Sequence, residues 1–346
     1  MKKLLTRIFF SGFSRCRKIL LCAAFALMAV VSLWCAGAFF HAFDVPKFVA
    51  WLAVIVLFAL LAAGLFFRRA LLAAAILEIA VVTAFCLITP ERRFRDTTWQ
   101  RPWRRTLEAR RLADGSYELR NVRDFHYRSE SDFDDRYRTV VVSPERISSI
   151  DAVFSHWDNL EDIAHSMLGL NFADGTTVVI SLETRLPEGA VQNGLDGFYR
   201  RYELAMLAGT PEDLYALRTD HRGETLYIYR LKMTHEAMCE TAVSIFARAE
   251  VLRRSPEYYN SLFRKCSTGM RPMLPESERL KKCDLRVMLN GLADKMLYDR
   301  DLIVRRDGES FGSLRARSLV PGLCRGKGAP PARYSGESEA RWLRDR

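Results

Sequence analysis

The sequence predicts an α+β protein in which a bundle of three transmembrane helices at the N-terminus is followed by a soluble domain with an antiparallel sheet packed on helices. Three observations carry this reading. Apolar runs of about 20 residues fill most of positions 19–89. Apolar residues alternate with period two on both sides of Ala173-Asp174-Gly175, and residues 235–253 place Met238, Ala242, Ile245, Phe246, Ala249 and Leu252 on one helical stripe.

The first 18 residues carry Lys2, Lys3, Arg7, Arg15, Arg17 and Lys18, a basic N-terminus expected in the cytoplasm. Residues 19–42 (ILLCAAFALMAVVSLWCAGAFFHA) contain no Asp, Glu, Lys or Arg and are long enough to cross a hydrocarbon core of about 30 Å. Further spans are expected at 48–67 and 70–89, separated by Arg68 and Arg69. A secretory signal has one short apolar stretch and a cleavage site, whereas here long runs succeed one another directly. The first span usually dominates orientation and an odd number of spans exports the chain beyond the last of them, so an exported soluble domain is expected. Arg92, Arg93, Arg95, Arg101, Arg104 and Arg105 vote the other way unless they lie against anionic headgroups. Glu78, inside the third span, is either functional or a polar partner between helices.

Residues 90–116 read as a basic connector, 117–313 as the soluble domain and 314–346 (with PGLCRGKGAPPAR) as a mobile tail. Within the domain, 117–137 is polar and aromatic and is expected to wrap a neighbouring surface, with a strand at 140–142 and a helical turn at 158–164. Strands at 166–172 and 176–185 form a hairpin. Leu168, Leu170 and Phe172 on one strand and Val178, Ile180 and Leu182 on the other are all even-numbered, so paired positions must sum to an even number for both sets to face one core. A three-residue loop with Gly175 in the left-handed region makes 167 pair with 181 and sets His165 across from Glu183. A short helix at 211–217, a strand at 224–233 with Leu226 and Ile228 opposite Tyr227 and Tyr229, the helix at 235–253 and another at 284–299 complete the order. There are no internal repeats.

The net charge of +11 lies largely beside the spans and in the arginine-rich tail, with no nucleic-acid module between, which points to a membrane surface and away from nucleic acid. Of the eight cysteines, Cys22, Cys35 and Cys86 fall in spans and Cys16 precedes them. Cys239, Cys266, Cys283 and Cys324 remain, without a CxxC pair, so a zinc site is not expected and any disulfide pairing is open.

A cysteine nucleophile needs a thiolate, a base, a group that orients the base and donors for the oxyanion. Cys266 comes after Arg264 and Lys265 and opens Cys266-Ser267-Thr268, a plausible helix start. His165 is the candidate base, with His126 and His156 as competitors, and Glu183 the candidate orienting group. Lys265, Tyr259, Asn260, Ser181 and Arg185 are candidates for substrate binding or the oxyanion. For each a structural role is the alternative: a packed cysteine, a backbone-bonded histidine, a solvated strand end or an aromatic cap.

Five stretches carry a resemblance: NVRDFHYRSESDF, IAHSMLGLNFADG with VVISLETR, RGETLYIYRL, YYNSLFRKCST and VMLNGLADKMLYDR. Across about 180 residues (121–302) they resemble, in order and spacing, the periplasmic domain of the Lnb-type bacterial lipoprotein N-acyltransferase family, long catalogued as a domain of unknown function. The resemblance implies a papain-like, permuted NlpC-type fold, with the family's histidine on His165 and its cysteine on Cys266. Two departures stand out: Lys265 where asparagine is expected before the cysteine, and Gly269 with Pro272, which weaken the helix after it. The expected activity is a thiol-dependent acyl transfer from a membrane phospholipid to a lipoprotein N-terminus at the bacterial cytoplasmic (inner) membrane, without metal or organic cofactor. The alternatives are an envelope peptidase, amidase or lipid hydrolase using the same residues, and a non-catalytic membrane-anchored binding module. Sequence fixes no oligomeric state.

Overall fold

The structure, a computed structural model, describes residues 15–157, 161–261, 264, 266–275, 286 and 290–320. The described chain falls into two compact units, one formed by residues up to Asp96 together with Gln192–Arg201, the other by Thr97–Val191 and the residues from Tyr202 onward.

The first unit is built on α1 (Arg15–His41), α2 (Lys47–Ala63) and α3 (Arg68–Leu87). Ser32 donates to Glu78 Oε1 at 2.6 Å, and the Trp34 ring meets Phe85 edge-on at 4.9 Å. Positions on α1 and α3 therefore advance together. The two helices run parallel, and α2 returns the chain between them. Glu78 is buried and is the polar partner of Ser32. The expectation of three full-length spans is corrected: Cys22–His41 and Arg68–Leu87 are long and apolar enough to cross a membrane, whereas α2 has 17 residues. At 1.5 Å per residue that is about 25 Å. It starts after Pro46 and stops before Gly64, where the chain turns although the apolar run continues to Phe67.

The second unit contains, in chain order, β1 (Glu108–Arg111), β2 (Tyr117–Arg123), β3 (His126–Tyr127), β4 (Phe133–Asp134), β5 (Tyr137–Val142), β6 (Ile147–His156), β7 (Ala164–Phe172), β8 (Thr177–Arg185), β9 (Glu203–Gly209) and β10 (Thr225–Arg230). Among the described residues an eight-stranded sheet has the order β1-β2-β9-β8-β7-β6-β10, with β5 also on β2. Its pairs are antiparallel except β2 with β9, which is parallel at Arg123 and Gly209. The hairpin register matches the parity reading: Met167 pairs with Ser181, Leu168 with Ile180 and Leu170 with Val178, and Gly175 has φ +86°. Leu168, Leu170, Phe172, Val178, Ile180 and Leu182 share one core with the stripe of the long helix His235–Arg254. The odd-numbered Val153, Met167 and Val179 pack on the other face with Leu214 and Tyr215 of the helix Pro211–Ala216.

Other expectations change. The segment read as a connector holds β1, and the 117–137 segment holds strands of the sheet. β6 was not anticipated, and the turn expected at 158–164 is partly outside the described residues, with Ala164 already in β7. Of the helix expected at 284–299, residues 284, 285 and 287–289 lie outside the described residues, 290–292 form a 3-10 turn and Ala293–Asp299 is helical. The expected tail opens with the helix Phe311–Ser318, whose Leu314 is buried, and residues 321–346 lie outside the described residues.

Candidate functional site

Because even-numbered residues of the hairpin take the face with the long helix, odd-numbered His165, Ser181 and Glu183 share the opposite face. His165, second in β7, has Nε2 at 2.7 Å from Ser181 Oγ and 3.1 Å from Glu183 Oε1, and Ser181 donates its hydroxyl to Glu183 Oε1 at 2.6 Å. With the serine hydrogen given to the carboxylate, the imidazole donates from Nε2 and leaves Nδ1 for a second partner. This tautomer is assigned from the network.

Cys266 is within hydrogen-bonding reach of the His165 side chain. Cys266 is buried and opens the short helix Cys266–Met270, which packs on β7 and β8, with Met270 and Met273 entering the core around Leu182. The helix ends after Met270 and gives way to a 3-10 turn carrying Pro272, as a proline without its N–H requires. Asn290 donates Nδ2 to Cys266 Sγ at 3.2 Å and also to the carbonyl of Ala164, tying the sulfur to the start of β7.

Behind Glu183 stands Arg218, on a π-helical turn over Leu217–His221. Its guanidinium donates to Glu183 Oε1 at 3.2 Å and to Glu224 Oε2 at 3.3 Å, and Ser155 donates to the same Glu224 oxygen at 2.5 Å. Burial and Arg218 push the His165 pKa down, but Glu183 and Cys266 outweigh them and hold it above its ordinary value. Burial pushes Glu183 up, and His165, Arg218 and the Ser181 hydroxyl overcome this to hold the carboxyl well below its usual range. The pair thus favours an imidazolium beside a carboxylate, the charge state that supports a thiolate.

Tyr259 borders this group. Burial first, then the charges of Cys266 and Glu183, push its phenol up to about 12 against a hydrogen bond with Thr184, so it stays a neutral donor. Asn260 exchanges backbone hydrogen bonds with Arg264 in the turn that leads to Cys266. Arg185 is not part of the cluster: it pairs with Glu203 at 2.8 Å, donates to the carbonyls of Trp103 and Arg104 and lies over the Trp99 ring. Lys265 lies outside the described residues. His126 is exposed on β3, and His156 is buried beside Tyr227, its pKa lowered by burial. Cys239 and Cys266 are in no disulfide among the described residues, whereas Cys283 and Cys324 lie outside them.

Sequence reasoning missed Arg218 and Asn290. Arg218 stands 35 positions from Glu183 in an irregular turn, and Asn290-Gly291 reads as a turn dipeptide. An apolar cavity of about 90 Å³ lies one helical turn beyond Cys266, lined by Phe154, Ser166, Leu168, Met270, Met296 and Leu297 among others. Among the described residues no group of three or more His, Cys, Asp or Glu side chains is placed to hold a metal ion.

No curated protein and no solved structure matches the chain. One family model, described as the Lnb N-terminal periplasmic domain, matches residues 133–291, a stretch that holds His165, Glu183, Arg218, Cys266 and Asn290.

Proposed function

We propose that Cys266, His165 and Glu183 carry out a thiol-dependent acyl transfer from a membrane phospholipid to the N-terminal amine of a lipoprotein, on a papain-like scaffold at the outer face of the cytoplasmic membrane. The observation that carries this reading is the buried His165, held through Nε2 by Ser181 and Glu183 and within reach of the Cys266 thiol. The cavity beside the cysteine helix has a mainly apolar lining, which supports an apolar substrate group near the thiol over a charged one.

His165 Nδ1 already holds the Cys266 proton as the thiolate Sγ bonds to the ester carbonyl carbon, with Asn290 and Tyr259 as nearby donors. The C–O ester bond breaks and His165 returns the proton to the departing lysolipid oxygen. The amine nitrogen of the acceptor then attacks the acyl-thioester, the S–C bond breaks to return the thiolate, and the amine proton passes to His165. The parallel course of α1 and α3 supports this reading, since two such helices crossing a bilayer would carry the chain after α3 to the side away from the start of α1.

The test is mass and fragment analysis of a reporter lipoprotein's N-terminus in cells carrying wild type, Cys266→Ala or His165→Ala at equal expression. An acyl chain is expected with wild type and absent with both variants. A reporter identical in all three ends the acyltransferase reading, and free fatty acid released only by wild type replaces it with hydrolysis.

A further inference from the structure

The first unit contains a piece of chain far from it in sequence. Gln192–Arg201, part of the connection between β8 and β9, belongs to the same compact unit as α1–α3. Within that unit Tyr199 donates to the carbonyl of Trp34 at 3.1 Å, its ring lies 5.8 Å from Trp34 and stacks on His41 at 5.5 Å, and a Cβ at Gly37 would overlap its hydroxyl. Asp196 meets His41 Nδ1 at 2.6 Å. Arg200 donates to the carbonyl of Phe85 at 3.2 Å and lies over its ring, while Arg201 pairs with Asp44.

Trp34 stands seven residues before the end of α1, so Tyr199 reaches about 10 Å below that end along the apolar stretch Cys22–His41. The short helix Gly194–Phe198 within this segment leaves Leu195 54% and Phe198 36% exposed, and Val191 just before it is 83% exposed. In the same unit as Leu195 and Phe198, Leu33 is 67% and Leu87 65% exposed. Apolar side chains at this depth, with arginines at helix ends, are the pattern of a segment lying in the interfacial zone of a bilayer.

We infer that Gln192–Arg201 is a lipid-inserted element, in which Leu195 and Phe198 contact the acyl chains of the leaflet that holds the C-terminal end of α1. The inference rests on the membrane reading of α1 and α3. It adds a binding surface for lipid in the middle of the soluble domain's sequence, on the connection that leads directly from the strand bearing Ser181 and Glu183.

The test is photocrosslinking of the full chain in vesicles of phosphatidylethanolamine and phosphatidylglycerol, with p-benzoylphenylalanine placed singly at Leu195, at Leu33 on the outward face of α1, or at Ser129, an exposed loop position of the other unit. Phospholipid adducts at Leu195 are expected within about threefold of those at Leu33 and at least about tenfold above those at Ser129. Adducts at the Ser129 level, with Leu33 still reacting, overturn the inserted element and leave the spans standing. Failure at both Leu33 and Leu195 overturns the membrane reading with it, and a protein–protein adduct at Leu195 replaces lipid with a second chain.

Discussion

At the scale of single residues, the opposite shifts of His165 and Glu183 set a pH window. The raised pKa of His165 gives a stabilisation fully present below its unfolded value near ~6.5 and lost as pH rises through the folded one. The depressed Glu183 contributes stability present above its unfolded value near ~4.3 and lost as pH falls through the folded one. Glu183→Gln is therefore expected to lower the urea midpoint most between about pH 4.3 and 6.5, with the difference shrinking at higher pH. Iodoacetamide labelling of the Cys266 peptide at pH 6 should slow by about tenfold for each pKa unit the imidazole loses. Equal labelling of both proteins from pH 5 to 9 would remove Glu183 from control of the thiol. The His165–Glu183 pairing was legible because the parity of the two strands and the three-residue loop with Gly175 together dictate it. Arg218 and Asn290 were not, since each is brought in by a turn whose position depends on the tertiary fold.

Elements differ in how plainly they announce themselves. The helix His235–Arg254 was readable because one face is buried and the other wet, and each residue of its predicted stripe is buried. β6 gave no such signal: every residue except Ser148 is buried, so both faces lack the polar alternation that marks a strand. β2 hid for a different reason. Asn121 adopts φ 60° and the pairing shifts between Leu119 and Val122, which breaks the period of two. Two substitutions measure the contribution of these elements. Phe246→Ala, which empties a fully buried site between the long helix and the sheet, is expected to cost about 3–5 kcal/mol in urea unfolding of the detergent-solubilised chain. Gly175→Val, at a left-handed turn position with open space around it, is expected to cost about 1–2 kcal/mol through backbone strain alone. A Gly175→Val midpoint equal to wild type would mean the loop relaxes without moving the register.

For the whole molecule, composition separated the apolar end from the soluble part, but the true partition is not a single cut. VQNGLDGFYRR is neither long nor apolar enough to suggest a place beside the helices, and its partners Trp34 and Gly37 stand more than 150 positions away. The proposed orientation yields a direct prediction: an alkaline phosphatase fused after Thr89 should be active, as it would be if the parallel α1 and α3 both cross the bilayer. Activity only of a cytoplasmic reporter at that point would exclude access to lipoprotein N-termini. The split membrane unit also has a history during synthesis. Its helices leave the ribosome roughly 100 residues ahead of Gln192–Arg201, so at about 5–20 residues per second they wait some 5–20 s for their last piece. During that interval the side of α1 at Gly37, which Tyr199 later covers, stands open, and a chain arrested before residue 192 would carry a helix unit without its last piece.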